Sequence, residues 1–574
     1  MKRNSFLIFK LFNFYILAAA LLLTSCSDML EPESDLVEYA ENHTLNHATD
    51  SVYSVMGIIN GLQTVADRSV LLGAARGDLM TVTDDATSDL KHLAAFDYVS
   101  ANKYNEVSDY YAIINNCNYF LAHIDTAMER RGRNLFLREY AAVKSFRAWT
   151  YLQLAMNYGE VPLILEPLMT EKEARDAMNQ PVRGIQDICN TFIDDLTPYV
   201  DVNLPEYGVV NNLTSEEFFI PMRALLGDLC LWAGRYQEAA TWYHDYLTDT
   251  RSPIRMSNQR VTWGSSSQFT NTISGYNPTG SLEVLCFIPM ERRVFDGVVS
   301  DLSNIFESTK ENNYFYALTA SSAMSALSEA QTYCIEEKTA TKSDTIYVPR
   351  TGFADHKYIG DLRYSSNFSL TSWGTQSEFS EQNSYHQSIS KIYSSGVVLY
   401  RVTMLYLRYA EALNRAGYPQ SAFAVLKHGM CDDVLRANVD SIERSQAGDL
   451  LFFDPLVYRL NDDNGRRLIY GVHSLGSGDS HANAYYVLPQ PEQELATRQD
   501  TVDYQIPLVE DMIIDEMALE GAFEGNRYYD LMRVALRRHD PAYLADPVSR
   551  RNGEADEALR AKLMDTKNWY LPLP

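Results

Sequence analysis

Between residues 135 and 157 the apolar positions Ala141, Ala142, Val143, Phe146, Ala148, Trp149, Leu152 and Leu154 point in almost every direction around a helix. A helix apolar nearly all round is a buried one. Tyr158-Gly159 ends it, with Gly suited to the position just past a helix, and Val161-Pro162 begins an extended segment. Residues 104–131 read as the other arm of a helical hairpin turning at Gly132. Helical spacing recurs over 184–199, 215–233, 236–248, 400–416, 419–428, 506–522 and 526–536. Thr214 with Glu217 fits a capping box at the start of 215–233. On 400–416, Val402, Leu405, Tyr406, Tyr409 and Leu413 share one face, while Arg408, Glu411 and Arg415 face elsewhere. Gly417 closes that helix and Pro419 opens the next. The stretches Trp232–Ala240 and Ala410–Gly417 have the flavour of tetratricopeptide hairpins, without a clean repeat of about 34 residues, so the pairs are TPR-like. Residues 251–400 are rich in Ser, Thr, Asn and Gly, with short β-prone pieces at Leu285–Ile288 and Thr345–Val348. Loops that long inside a compact protein usually carry function. The stretch 440–505 is similarly irregular. The pattern predicts a mainly α protein of helical hairpins with a loop-rich insert bearing short strands.

The first residues set the compartment. Lys2, Arg3 and Lys10 precede an apolar run from Leu11 to Leu23 broken only by Asn13. That run is too short to span a bilayer and has the pattern of a secretory signal. It ends in Leu23-Thr24-Ser25-Cys26, which resembles a bacterial lipobox, so Cys26 is the expected lipidated first residue of the mature chain. Lipid on one residue anchors a protein without crossing the membrane.

Composition narrows the chemistry. Hydrophobic residues make up 46% of the 574, ample for a large core. The net charge of −26 excludes a nucleic-acid partner, because phosphate binding needs clustered Lys and Arg. Tyr is abundant, at 38 residues; its apolar face and polar tip suit sugar binding and helix packing alike. Cys117, Cys189, Cys230, Cys286, Cys334 and Cys431 form no CxxC pair, so neither zinc nor redox chemistry is expected, and buried inert thiols fit best. No HExxH, Walker A, GxSxG or dinucleotide motif occurs. Gly476–His481 has the look of an active-site loop but lacks the strand–Ser–helix context, and reads as a polar loop. Asp84-Asp85 and Asp194-Asp195 have the composition of a glycosidase acid pair, but adjacent residues rarely point the same way. No cofactor or metal is expected, and no catalytic residue.

Four segments together resemble the SusD/RagB family of outer-membrane lipoproteins. They are Tyr110–Asn118; Glu139–Trp149 running on to Tyr158–Leu163, similar to the family's E-A-x-F-L-R-A … G-x-V-P-L signature; Leu407–Ala412; and Asp515–Arg533, similar to its E-x-x-x-E-G-x-R-x-x-D-L-x-R stretch. Gly521 stands where the family usually has Leu. The acidic run Asp28, Glu31, Glu33 and Asp35 after Cys26 resembles the export tag of Bacteroidetes-type surface lipoproteins. The resemblance implies a SusD-like fold divided as signal peptide (1–25), anchor and acidic tether (26–50), N-terminal TPR-like helical region (51–250), ligand-binding insert (251–400) and C-terminal helical region (401–574). It implies non-catalytic capture of an oligosaccharide at the cell surface and delivery to a SusC-like TonB-dependent transporter. The alternatives are an oligopeptide-binding lid of the same kind of transporter and a surface glycoside hydrolase. Expected ligand contacts are Tyr98, Tyr104, Trp263, Asp361, Arg363 and Trp373. Glu524, Arg527, Asp530 and Arg533 are spaced to pair along or between helices. Arg147 is expected to meet one of their carboxylates as part of the same polar network.

Overall fold

A 29-residue helix, Ala48–Arg76 (α1), comes first. The sequence pattern does not mark it. Gly57, Gly61 and Gly73 lower its helix propensity, yet Val55, Ile58, Ile59, Leu62, Val65, Leu71 and Leu72 are all buried, so packing supplies what propensity lacks. This computed structural model describes residues 48–98, 102–210, 212–249, 252–256, 283–290, 298–306, 317–331, 333–338, 343–348, 361, 363, 368–371, 386–389, 391–392, 396–465, 468–476 and 486–573. A short strand, Met80–Val82 (β1), and the helix Ser88–Ala94 (α2) follow; the Thr87 hydroxyl caps α2 by accepting from the Leu90 amide.

The helical hairpin comes next, with different joints from those expected. Its arms are Val107–His123 (α3) and Leu137–Tyr158 (α4). Between them the chain leaves the helix and forms a β-hairpin, Glu129–Arg130 against Arg133–Asn134. Arg131 and Gly132 at its tip have φ of 55° and 72°, the pair of positive values that a two-residue type I′ turn requires. Along α4 every residue from Ala141 to Tyr158 is buried.

The chain continues through Ile185–Leu196 (α5), Met222–Ala233 (α6) and Tyr236–Leu247 (α7). Here α6 starts seven residues later than the pattern suggests, and Thr214 makes no capping bond. Ser215–Phe218 is a separate 3₁₀ turn, and Pro221, which lacks an N–H, holds the residue before it out of the helical region. The short strands Val284–Pro289 (β2), Leu318–Ala320 (β3) and Gly396–Arg401 (β4) come from the insert. β1 pairs with β3, and β2 with β4, both antiparallel. The β2–β4 register slips on either side of Tyr400; such irregularities re-aim side chains, and here they precede Arg401.

β4 runs directly into Val402–Arg415 (α8). Pro419–Phe423 then extends into a π-helical turn, Ala424–His428. Arg498–Glu520 (α9) begins eight residues before the expected start, because Thr497 and Asp500 form a complete capping box, and Pro507 is carried inside the helix. The stretch 440–505 also contains a helix, Ser441–Ala447, capped by Asp440. Arg527–Arg538 (α10), Ala542–Ser549 (α11) and Glu557–Leu563 (α12) complete the chain. Each helix from α3 to α9 packs on the next, and α1 packs across α3, α4 and α10. Residues 47–574 form one compact unit. Among the described residues no helix is long and apolar enough to cross a membrane.

Candidate ligand-binding site

The interior is unusually rich in charge. Arg401, at the end of β4, donates to both oxygens of Glu524 (3.0 and 3.1 Å from Nε) and to Glu520 (2.6 Å). Lys391 sits 2.6 Å from Glu524 and donates to the Glu520 and Ala522 carbonyls. Arg363 makes a bidentate pair with Asp361 (2.9 and 2.8 Å) and reaches Glu516 (2.6 Å) and Glu520 (2.9 Å). All of these groups are buried. Burial and the nearby Glu520 push Glu283, 3.8 Å from Arg401, up to about 7.

The inward face of α8 carries a second set. Glu411 accepts from Arg533 (2.6 and 2.9 Å) and Arg537 (2.7 Å), and Asp530 accepts from Arg533 (2.9 Å). Arg415, Arg537 and Arg538 converge on Glu510. Glu411 is therefore not turned outward as the spacing suggests; it is fully buried, and Arg408 beside it binds Asp228 at 2.8 Å. Arg527 clasps Asp78 (3.0 and 3.1 Å).

Although burial alone would raise them, Arg533 and Arg537 hold Glu411 down to about 2, and Arg363 and His473 do the same for Glu516. In the unfolded chain both return to about 4.5. The stability they contribute is thus complete above that pH and is lost as the pH falls towards 2. Glu411→Gln should lower stability at pH 7 and flatten the dependence between pH 4.5 and 3, read from urea midpoints at each pH. An unchanged acid slope would show that Glu411 does not drive it.

Spaces open to small molecules occur among the described residues. One, of about 80 Å³, lies between α4, α6, β4, α8 and α10 and is lined by Asp228, Tyr400, Arg408, Glu524 and Arg533. Its size suits water; Asp228 there accepts from the Tyr243 and Tyr400 hydroxyls at 2.6 and 2.8 Å. The second, about 410 Å³, is lined by Arg138, Asp201, Glu216, Arg223, Tyr246 and Asp249. The third, about 450 Å³, opens between β1, α2 and the α11–α12 segment, and is lined by Thr81, Lys91, Asp97, Arg551, Asp556 and Lys562. The two larger clefts fall in the range of about 300–1,000 Å³ typical of small-ligand sites.

Solved structures share this architecture. A SusD-like carbohydrate-binding protein from Bacteroides fragilis matches over 86% of this chain and 88% of its own, with TM-score 0.55 at 14% identity. A SusD superfamily protein from Bacteroides vulgatus matches over 93% and 96%, with TM-score 0.56 at 13% identity. The chain has the SusD-like fold. A putative sugar-binding protein from Bacteroides vulgatus also matches, over 86% and 88%, with TM-score 0.51 at 16% identity. No family model matches the sequence, and no curated protein does.

In this SusD-like chain four of the six expected contact residues are described, Tyr98, Tyr104, Asp361 and Arg363. Asp361 and Arg363 are wholly buried in the ion network, with no exposed surface to offer a ligand. Gly476 lies beside them, where a Cβ would come within 2.3 Å of an Asp361 carboxylate oxygen. Tyr104 is buried. Tyr98 is half-buried, 6.0 Å from Phe96 ring to ring, directly after the cleft residue Asp97. Trp263, Trp373 and Cys26 lie outside the described residues. Arg147 does not reach the C-terminal carboxylates. It pairs with Asp195 (3.0 Å) and Asn118 (2.9 Å), and Lys144 shares Asp195 at 2.5 Å, so that acid of the Asp194-Asp195 pair is a structural counter-ion. Glu283, Lys391, Arg401 and Arg551 are among the buried charges sequence reasoning missed, since each lies in or beside irregular chain. Cys117, Cys189, Cys230 and Cys286 are buried free thiols, Cys431 is buried as well, and burial pushes Cys117 and Cys230 up to about 12. The Cys334 side chain lies outside what is described. No group of His, Cys, Asp or Glu among the described residues is arranged to hold a metal.

Proposed function

We propose that the chain captures an oligosaccharide at the surface of a bacterial outer membrane, without cleaving it, and passes it to a SusC-like TonB-dependent transporter. The observation that carries this reading is the fold, shared over most of both chains with proteins described as carbohydrate- or sugar-binding. The lipobox-like Leu23–Cys26 supports anchoring through Cys26. The cleft between β1, α2 and the α11–α12 segment is the proposed seat of the ligand. It has the volume for a sugar unit and offers Asp97, Asn552 and Lys562 to hydroxyls. Tyr98 and the insert tryptophans Trp263 and Trp373 are proposed to stack on sugar faces.

Ala95 and Ala558 line the cleft and are exposed, so a larger side chain there blocks it without disturbing the core. Ala95→Trp and Ala558→Trp should each weaken retention in polysaccharide-containing native gels by about tenfold or more, the scale of losing a few ligand hydrogen bonds. Unchanged retention of both variants would put the ligand elsewhere.

A further inference from the structure

Arg551 follows α11 and is 7% exposed. Its Nη1 donates to the carbonyls of Ala75 (2.9 Å) and Gly77 (3.4 Å), and its Nη2 to that of Ala94. A guanidinium has five N–H donors, so the Nε–H and one N–H of Nη2 remain. No carboxylate among the described residues lies within ion-pair distance. Asp78 acts on it only across space, and both oxygens of Asp78 are already held by Arg527. Asp556, the other nearby acid, accepts from the Leu559 amide as the cap of α12. Burial without a counter-charge pushes Arg551 down to about 10, whereas Arg363, Arg401 and Arg533 each face at least two carboxylates. A buried charge lacking its partner is costly, and this one lines an open cleft.

We propose that the Arg551 cleft binds the carboxylate of an acidic sugar, a uronate or sialate unit within a glycan. The inference rests on the glycan-capture reading and names its substrate class. The planar fork of a guanidinium matches a carboxylate better than a point charge does. Lys91 and Lys562 also line the cleft, against Asp97 and Asp556. Three cations facing two carboxylates leave a single positive charge, suited to one monoanion. The two acids repel denser anions, which disfavours sulfate and phosphate esters. Arriving carboxylate completes the coordination of Arg551, and Asp97 and Asn552 are placed to meet the hydroxyls of the same ring.

The test is calorimetry of the mature chain with oligosaccharides containing galacturonate, glucuronate or sialate, each against its carboxyl-reduced counterpart, plus a sulfated glycan. At least one acidic glycan should bind about tenfold or more tighter than its reduced form, the worth of a charged hydrogen bond. Arg551→Lys should remove that margin. Because Arg551 also ties three backbone carbonyls, Lys562→Glu serves as a second variant on a half-exposed side chain, and should remove most of the margin between acidic and reduced glycans. Equal binding of acidic and reduced forms, or tighter binding of the sulfated glycan, would overturn the acidic-sugar inference and leave glycan capture standing. Absence of binding to every glycan would instead overturn the capture reading itself.

Discussion

Replacing Arg401 by Met should lower the free energy of unfolding by about 3–5 kcal/mol, the usual cost of stripping one partner from a buried ion cluster. Arg401 holds Glu520 and Glu524 at once, and both carboxylates are buried. With Arg401 gone, Lys391 still answers Glu524 and Arg363 still answers Glu520, but two carboxylates lose their shared cation. The effect is one of uncompensated charge rather than lost volume, since methionine fills much of the same space. Arg401→Met combined with Glu524→Gln should therefore recover part of the loss, a coupling that independent sites would not show. Urea unfolding with unchanged slope gives the numbers. A single variant as stable as the parent would mean that water reaches the cluster.

The second large effect is steric. At Gly73, near the end of α1, an added Cβ would lie 1.8 Å from the Gly525 carbonyl oxygen and 2.9 Å from the Tyr529 ring. At Gly525, whose φ is +80°, it would lie 2.3 Å from the Val70 oxygen. The two glycines let α1 and the turn before α10 touch backbone to backbone, and that contact holds Tyr529 over Asn157 (2.8 Å) and Arg76 (3.2 Å). Neither side can yield by moving a flexible tip. Gly73→Ala should cost at least about 3 kcal/mol, the upper range for overpacking. Gly525→Ala adds strain from its positive φ. Gly57 in the same helix has nothing within 4 Å, so Gly57→Ala should stabilise by about 0.5–1 kcal/mol. Thermal unfolding of the three variants separates crowding from helix propensity; equal midpoints for Gly73→Ala and Gly57→Ala would contradict the close contact.

The parts of this fold that were legible in the sequence are those where one face of a helix is apolar. α4, α6, α7, α8 and α10 follow from periodicity and from Gly or Pro at their ends. α1 escaped because its glycines, of which Gly73 is placed for close approach, read as helix breakers. α9 escaped in part because Pro507 suggests a start where the chain has already turned twice. The polar interior was only half legible. Spacing showed that Glu524, Arg527, Asp530 and Arg533 would pair, but their partners Arg401, Asp78 and Glu411 lie more than 100 residues away in the chain. Asp361-Leu362-Arg363-Tyr364 looked like a binding motif because a short acid–base pair reads the same on a surface and in a core. Only burial separates the two cases, and burial here comes from α9, which packs on it through Glu516 and Glu520. Arg551 gave no signal at all: nothing near it in sequence tells that it ends buried without a carboxylate.

The central claim is capture without cleavage, and it is tested most directly by titrating the mature chain with plant, host and microbial oligosaccharides and with a peptide mixture in a calorimeter, then recovering the ligand and measuring its chain length. Saturable heat with one glycan class, and that glycan recovered intact, is the expected result. Shortened products would make the protein a hydrolase, and heat from peptides alone would make it an oligopeptide-binding protein.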